Sequence, residues 1–187
     1  GTQMIAKGLD LPDVTLVGVI DADVGLNLPD FRAAERTFQL LAQVAGRAGR
    51  GQEAGEVLVQ TLRPDHPALR CTLTHDYVSF AAGEIEDRAG PGYPPHRRLA
   101  NLVVSGEDET HVADAAGELA AWLAAGVEAT GLGRTITILG PAPCPIERLR
   151  GRWRWHLLLK ATDAGDLGDL LRYTATKDPV GGSNRLE

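Results

Sequence analysis

The stretch Arg152-Trp153-Arg154-Trp155-His156-Leu157-Leu158-Leu159-Lys160 alternates two kinds of side chain. Successive side chains of a strand point to opposite sides, so Trp153, Trp155, Leu157 and Leu159 share one face and Arg152, Arg154 and His156 the other. The pattern predicts a strand with an apolar inner face and a basic outer one. Working outward, Leu99 to Ser105 (LANLVVS) reads as a second strand. Val112, Ala115, Ala116, Leu119, Trp122 and Leu123 mark one face of a helix. Glu107, Asp108 and Glu109 at its entry suit the positive end of the helix dipole. Thr135 to Leu139 predicts a third strand, Gly140 to Arg150 a proline-bearing loop, and Leu167 to Arg172 a short helix. A last strand is expected near Tyr173 to Thr176, and the tail Gly181 to Glu187 carries no closing-strand pattern. The order βαββα is the split-βαβ, ferredoxin-like plan of an α+β domain.

Upstream the pattern changes. Val14 to Ile20 (VTLVGVI) is a near-continuous β-branched run, which predicts a buried strand of a parallel sheet. Asp30 is a candidate N-cap for a helix from about Phe31 to Arg47. Gly55 to Leu62 reads as the next strand, giving a strand–helix–strand order of the α/β kind. Leu69, Leu73, Tyr77, Phe80 and Ile85 then predict a helix up to about Arg88. Ala89 to Pro95 (AGPGYPP) is the strongest linker signal. The expected organisation is 1–66, a connecting helix and linker over 67–92, and a second domain over 93–187.

The bulk numbers exclude several classes. A hydrophobic share of 43% and a charged share of 24% fit a globular protein. No apolar run is long enough to span a bilayer, so no membrane partner is expected. Cys71 and Cys144 are the only cysteines and form no metal-ligand cluster; a reducing cytosol is the default reading. The five histidines show no paired ligand spacing, and Gly131-x-Gly133 opens no nucleotide-binding unit. Net charge is −6, but distribution matters more than the sum. Ser105 to Glu128 holds six acids and no Lys or Arg, whereas Ile146 to Lys160 holds Arg148, Arg150, Arg152, Arg154 and Lys160 against Glu147 alone. That ribbon is a candidate DNA-backbone contact. The inner placement of Trp153 and Trp155 makes them core residues before base-stacking ones.

The sharpest chemical motif is Gln43-Val-Ala-Gly46-Arg47-Ala-Gly49-Arg50-Gly51. At about 100° per residue, Gln43, Arg47 and Arg50 share one helix face, with Leu41, Val44, Ala45 and Ala48 opposite. Two converging guanidiniums suit a polyphosphate, whose oxygens they can bind in a bidentate way. Gly46 and Gly49 leave room for a partner to approach.

QVAGRAGRG resembles motif VI of superfamily-2 helicases, and Gly1 to Pro12 (GTQMIAKGLDLP) resembles their motif V. The longer strings GTQMIAKGLDLPDVTLVGVIDAD and PDFRAAERTFQLLAQVAGRAGRG are similar to the primosomal protein N′ family, the bacterial replication-restart helicases. So are His75-Asp76-Tyr77 with Phe80, Tyr93-Pro94-Pro95, and Gly140-Pro141-Ala142-Pro143 through Ile146-Glu147-Arg148. The resemblance covers nearly the whole chain. It implies a partial RecA-like helicase lobe followed by the ferredoxin-like domain. It also implies that Arg50 is an arginine finger supported by Arg47, that Gln43, Gly8 and Asp10 lie at the nucleotide, and that Thr2, Gln3 and Lys7 touch the DNA backbone. The implied ligands are ATP and Mg in the full-length protein, with zinc bound only upstream of this chain. The implied partners are forked or single-stranded DNA, primosome proteins and single-strand-binding protein, in a bacterial cytoplasm at the nucleoid. His96 departs from the family, which often has an aromatic residue there.

A Walker A loop needs Gly-Lys-Ser/Thr, but Ala6, Leu159 and Thr176 precede the three lysines. The expectation is therefore a carboxy-terminal fragment, starting inside the second motor lobe, that binds no cofactor and hydrolyses no ATP alone. Two other readings stay open: a DNA- and partner-binding module without motor function, and another superfamily-2 DNA translocase.

Overall fold

The computed structural model describes residues 15–46, 55–177, 179–180 and 184–186. The chain divides into two compact units, Gly1–Asp87 and Arg88–Glu187.

In the first unit, β1 (Leu16–Val19) and β2 (Glu56–Val59) pair in parallel, with Leu16 opposite Glu56 and Val19 opposite Val59. Between them lie a short helix α1 (Asp23–Leu26) and the amphipathic α2 (Ala33–Ala45). Parallel strands need such a crossover because a tight turn cannot reverse the chain and keep its direction. Asp30 does not cap α2 as expected. It sits one turn earlier, accepting from Arg32 N (2.9 Å) and pairing with Arg36 (2.8 Å). Of the run Val14 to Ile20, Val14 lies outside the described residues, and the strand observed, Leu16–Val19, is not buried on both faces. Val17 and Val19 are half-buried, while Leu16 and Ile20 are exposed.

The expected single helix from Leu69 to Arg88 is two helices, α3 (Pro67–Leu73) and α4 (Tyr77–Ala89). His75 takes a left-handed backbone (φ 53) that no α-helix accommodates. Asp76 then restarts the chain by accepting from Ser79 N at 3.0 Å. His66 accepts from Ala68 N at the start of α3, where Pro67 fills the first turn. Phe38 of α2 stacks on Phe80 of α4, ring centroids 4.3 Å apart, and Ala68 completes that small core. A second cluster joins Ala22, Leu41 and Leu69.

The second unit is a four-stranded sheet in the order β4-β5-β3-β6 with two helices on one face. Its elements run β3 (Arg98–Gly106), α5 (Glu109–Ala129), a 3₁₀ turn (Leu132–Arg134), β4 (Ile136–Leu149), β5 (Arg152–Ala161), α6 (Ala164–Lys177) and β6 (Arg185–Leu186). Neighbouring strands are antiparallel, and β5 separates β3 from β4. This is the ferredoxin-like arrangement, with its closing strand. Leu157, Leu159, Val104, Leu119 and Leu123 are fully buried where the helices meet the sheet. Asp108 caps α5 by accepting from His111 N (2.9 Å), and Asp163 caps α6 by accepting from Gly165 N (2.7 Å) and Asp166 N (3.0 Å).

Three expectations fail here. Tyr173 to Thr176 is not a strand but the last turn of α6, whose inner face continues through Leu167, Leu170 and Thr174. The closing strand comes later, where Arg185 and Leu186 pair with Ser105 and Val104. Gly140 to Leu149 is not a loop but the continuation of β4, interrupted by two register shifts. Gly140 makes the first shift possible. Its φ is 98°, and a Cβ there would lie 2.8 Å from the His156 carbonyl oxygen.

Candidate nucleic-acid interface

The β4–β5 hairpin carries the basic ribbon. Leu149 pairs with Arg152, so Arg150 and Gly151 alone form the turn. Both have positive φ, 52° and 83°, as a two-residue turn matched to the strand twist requires. Asn-Gly or Gly-Gly would adopt this turn with less strain. An arginine held there at the exposed tip points to a use for its charge.

The four arginines occupy different environments. Arg150 is exposed at the tip. Arg148 is also exposed, with its guanidinium 5.3 Å from the Trp153 ring centroid and its Nε 3.5 Å from the Gly151 carbonyl. Arg154 lies half-buried on the sheet face away from the helices, opposite Ser105. Arg152 is tied inward. Its Nη2 donates to the Ser105 carbonyl at 2.7 Å and its Nε approaches Ser105 Oγ at 3.4 Å. Trp153 and Trp155 pack against the helix-side core, as the alternation predicts.

Two features of this face were not read from the sequence. His156 Nδ1 lies 3.0 Å from Asn101 Oδ1 on β3. Burial, then the neighbouring Arg154 charge, holds the imidazole below its ordinary pKa. Arg185 on β6 stands across Ser105 from Arg154, because Ser105 pairs with both. Only the register of a strand the tail did not signal could have shown this. The second register shift sets Cys144, Pro145, Ile146 and Glu147 against Arg154 alone, since Pro143 pairs with Trp155 and Arg148 with Trp153.

The other candidate group is only partly in view. Gln43 is exposed on the last turn of α2. Arg47, Arg50, Thr2, Gln3, Lys7, Gly8 and Asp10 lie outside the described residues. At the carboxyl ends of β1 and β2, the buried Asp23 carboxylate accepts from Leu62 N (2.7 Å) and Thr61 Oγ1 (2.9 Å). The Leu62 amide, with Thr61 and Arg63, holds Asp23 below its ordinary pKa. Arg63 reaches Asn27 Oδ1 at 3.0 Å. This network joins the exits of both strands, and no motif in the sequence signalled it. Among the described residues no group of three or more His, Cys, Asp or Glu side chains is placed to hold a metal. No helix there is long and apolar enough to cross a membrane.

Residues 90–182 match the family model of the primosomal protein N C-terminal domain. The chain is 46% identical over 172 residues to the replication restart protein PriA of Bacillus subtilis, covering 92% of this chain and 21% of that protein. It is 47% identical over 160 residues to PriA of Synechocystis (86% and 19%), and 45% over 161 residues to PriA of Treponema pallidum (86% and 24%). The chain belongs to the primosomal protein N family. It spans roughly a fifth to a quarter of the length of these relatives. The C-terminal domain of primosomal protein N accounts for β3, α5, β4, β5 and α6, and so for the whole arginine hairpin. Arg185 lies beyond the matched segment.

Proposed function

We propose that this chain is the carboxy-terminal portion of an ATP-dependent 3′-to-5′ DNA helicase that restarts stalled replication forks and assembles the primosome. Its second unit grips the DNA backbone with the β4–β5 hairpin. The observation that carries the DNA contact is the arginine placed at the hairpin turn in a left-handed backbone, flanked by the exposed Arg148. Exposed guanidiniums release counterions when they neutralise phosphates, which supplies sequence-independent affinity. Arg148, Arg150 and Arg154 are the contacts, and Arg152 holds the hairpin against β3.

In this reading Gln43, Arg47 and Arg50 complete a nucleotide site, with Gly8 and Asp10 beside it and Thr2, Gln3 and Lys7 linking it to DNA. Arg50 neutralises charge developing on the γ-phosphate, and Arg47 holds the same polyphosphate. ATP and Mg belong to that composite site, and any zinc to parts of the protein outside this chain. Primosome proteins and single-strand-binding protein are the proposed partners, at the nucleoid. The chain alone lacks Gly-Lys-Ser/Thr and should not turn over ATP.

The test is binding of the 187-residue chain to forked DNA, followed by anisotropy at several salt concentrations. Arg148→Ala and Arg150→Ala should each weaken binding and lower the salt slope by about one. Unchanged slopes in both would sink the hairpin assignment. In the full-length protein, Arg50→Ala should cut DNA-stimulated ATP hydrolysis by about 10³-fold or more. Hydrolysis at the unmutated rate would remove Arg50 from the site.

A further inference from the structure

The hairpin carries something besides charge. Ile146 is 59% exposed and Leu149 46% exposed. Pro145 beside Ile146 is exposed as well. Ile146 sits in the four-residue bulge that β5 answers with Arg154 alone, and a bulge re-aims side chains away from the regular pleat. Cys144, at the start of the bulge, is buried and fixes its base. Arg148 and Arg150 flank Leu149 in sequence and are exposed. Large aliphatic side chains in water on the most cationic part of an acidic chain call for an apolar partner inside an anionic one.

Duplex DNA offers that combination where base pairs end or unstack. Its phosphates are anionic, and the flat face of a terminal or kinked base pair is apolar. Proteins insert Ile, Leu, Met, Phe or Pro into such steps while arginines hold the flanking backbone. The side-chain set here is the same: Pro145, Ile146 and Leu149 among Arg148, Arg150 and Arg154. An apolar protein or lipid surface would use the aliphatics but leave three guanidiniums without counter-charge. A continuous single strand would use the arginines and stacking rings, but both hairpin tryptophans face the core.

We propose that Pro145, Ile146 and Leu149 form an apolar wedge that abuts the terminal base pair where a duplex opens into single strands, while the hairpin arginines hold the adjoining phosphates. The proposal rests on the hairpin being the DNA contact. It makes the ligand a duplex–single-strand junction, recognised without regard to sequence. Backbone affinity comes from the arginines, and preference for a junction comes from the aliphatics.

The experiment compares the 187-residue chain and an Ile146→Ser/Leu149→Ser variant on forked DNA, blunt duplex and single strand. Fluorescence anisotropy gives the affinities, and 2-aminopurine at the last base pair reports unstacking. Tryptophan fluorescence confirms that the variant is folded. The wild type should prefer the fork over blunt duplex and brighten the probe. The variant should lose roughly five- to tenfold of that preference and the probe signal, with its salt slope unchanged. Equal loss on all three DNAs, or an undiminished fork preference and probe signal, overturns the wedge. An aliphatic pair serving a protein partner gives that last result. Failure of the hairpin itself is separate, because it shows as unchanged salt slopes in Arg148→Ala and Arg150→Ala.

Discussion

Replacing Arg152 by Ala separates a positioning arginine from a phosphate-binding one. The wild-type guanidinium donates to the Ser105 carbonyl at 2.7 Å, a charge-assisted bond, and reaches Ser105 Oγ at 3.4 Å, the long end of hydrogen bonding. Ser105 is only 1% exposed, so water does not readily replace the lost donor. One such bond is worth about 1.5–3 kcal/mol, and the long contact adds little. For a unit of this size the loss lowers the unfolding midpoint by roughly 6–24 °C. The chain provides its own probe. Its three tryptophans are Trp122, Trp153 and Trp155, all in the second unit. Thermal unfolding followed by tryptophan fluorescence therefore reports that unit alone. Below the new midpoint, Arg152→Ala should keep the wild-type salt slope on forked DNA. Arg150→Ala should do the reverse, losing about one unit of slope with little change in midpoint. Arg152→Lys should fall between wild type and Ala in midpoint, because an ammonium reaches the carbonyl without the planar fork. If Arg152→Ala left the midpoint unmoved and lowered the slope as Arg150→Ala does, Arg152 would be a phosphate contact and the Ser105 bond incidental.

Other outcomes follow from the same structure. Leu123 is fully buried where α5 meets the sheet, so Leu123→Ala should destabilise the second unit by about 2–5 kcal/mol, read from the tryptophan midpoint in denaturant. Asp23 has a folded pKa below its ordinary 3.8. It stabilises the first unit above that pH and loses this contribution as pH falls through the lower folded value. Hydrogen-exchange protection of Val57 to Leu62 should therefore drop in acid in the wild type, and Asp23→Asn should flatten that dependence. His156 is held below its ordinary 6.5, so it favours the neutral form. Its contribution is full above pH 6.5 and is lost as pH falls through the folded value. The tryptophan midpoint should fall more between pH 7.5 and 5.5 in the wild type than in His156→Gln.

The second unit was legible in sequence wherever one face of an element meets the core. The alternation over Arg152 to Lys160 and the helical spacing from Val112 to Leu123 each record one buried side, and the structure buries those sides. Legibility ended where backbone geometry decides. Pro141, Pro143 and Pro145 read as a loop, yet an edge strand tolerates proline, and β4 carries them through its two register shifts. Tyr173 to Thr176 has β-branched and aromatic residues, but Leu167, Leu170 and Thr174 continue one buried helix face. Arg185-Leu186 is too short to show a period, and only the open edge of β3 recruits it. Of the site, the sequence supplied the arginines but not their division of labour. Arg148, Arg150, Arg152 and Arg154 look alike on a line. Hydrogen bonds to Ser105 and a left-handed turn distinguish two of them.

The net charge of −6 is no obstacle to a DNA-binding second unit, because α5 and its entry carry acids without Lys or Arg, whereas the hairpin sets its arginines against Glu147 alone. Glu107, Asp108, Glu109, Asp114, Glu118 and Glu128 are all exposed on or just before α5. The helices cover one face of the sheet, and Arg154 and Arg185 lie on the other. A helix with its side chains is about 10 Å across, whereas charges at physiological salt are screened within about 8 Å. A phosphate drawn to the sheet face or the hairpin tip therefore meets the local arginines at close range. It meets the helix-layer carboxylates only through more than one screening length. The acidic sum sets solubility and long-range repulsion at low salt. In the proposed reading the hairpin sets contact, so the ribbon of arginines bears more on DNA binding than the total charge does.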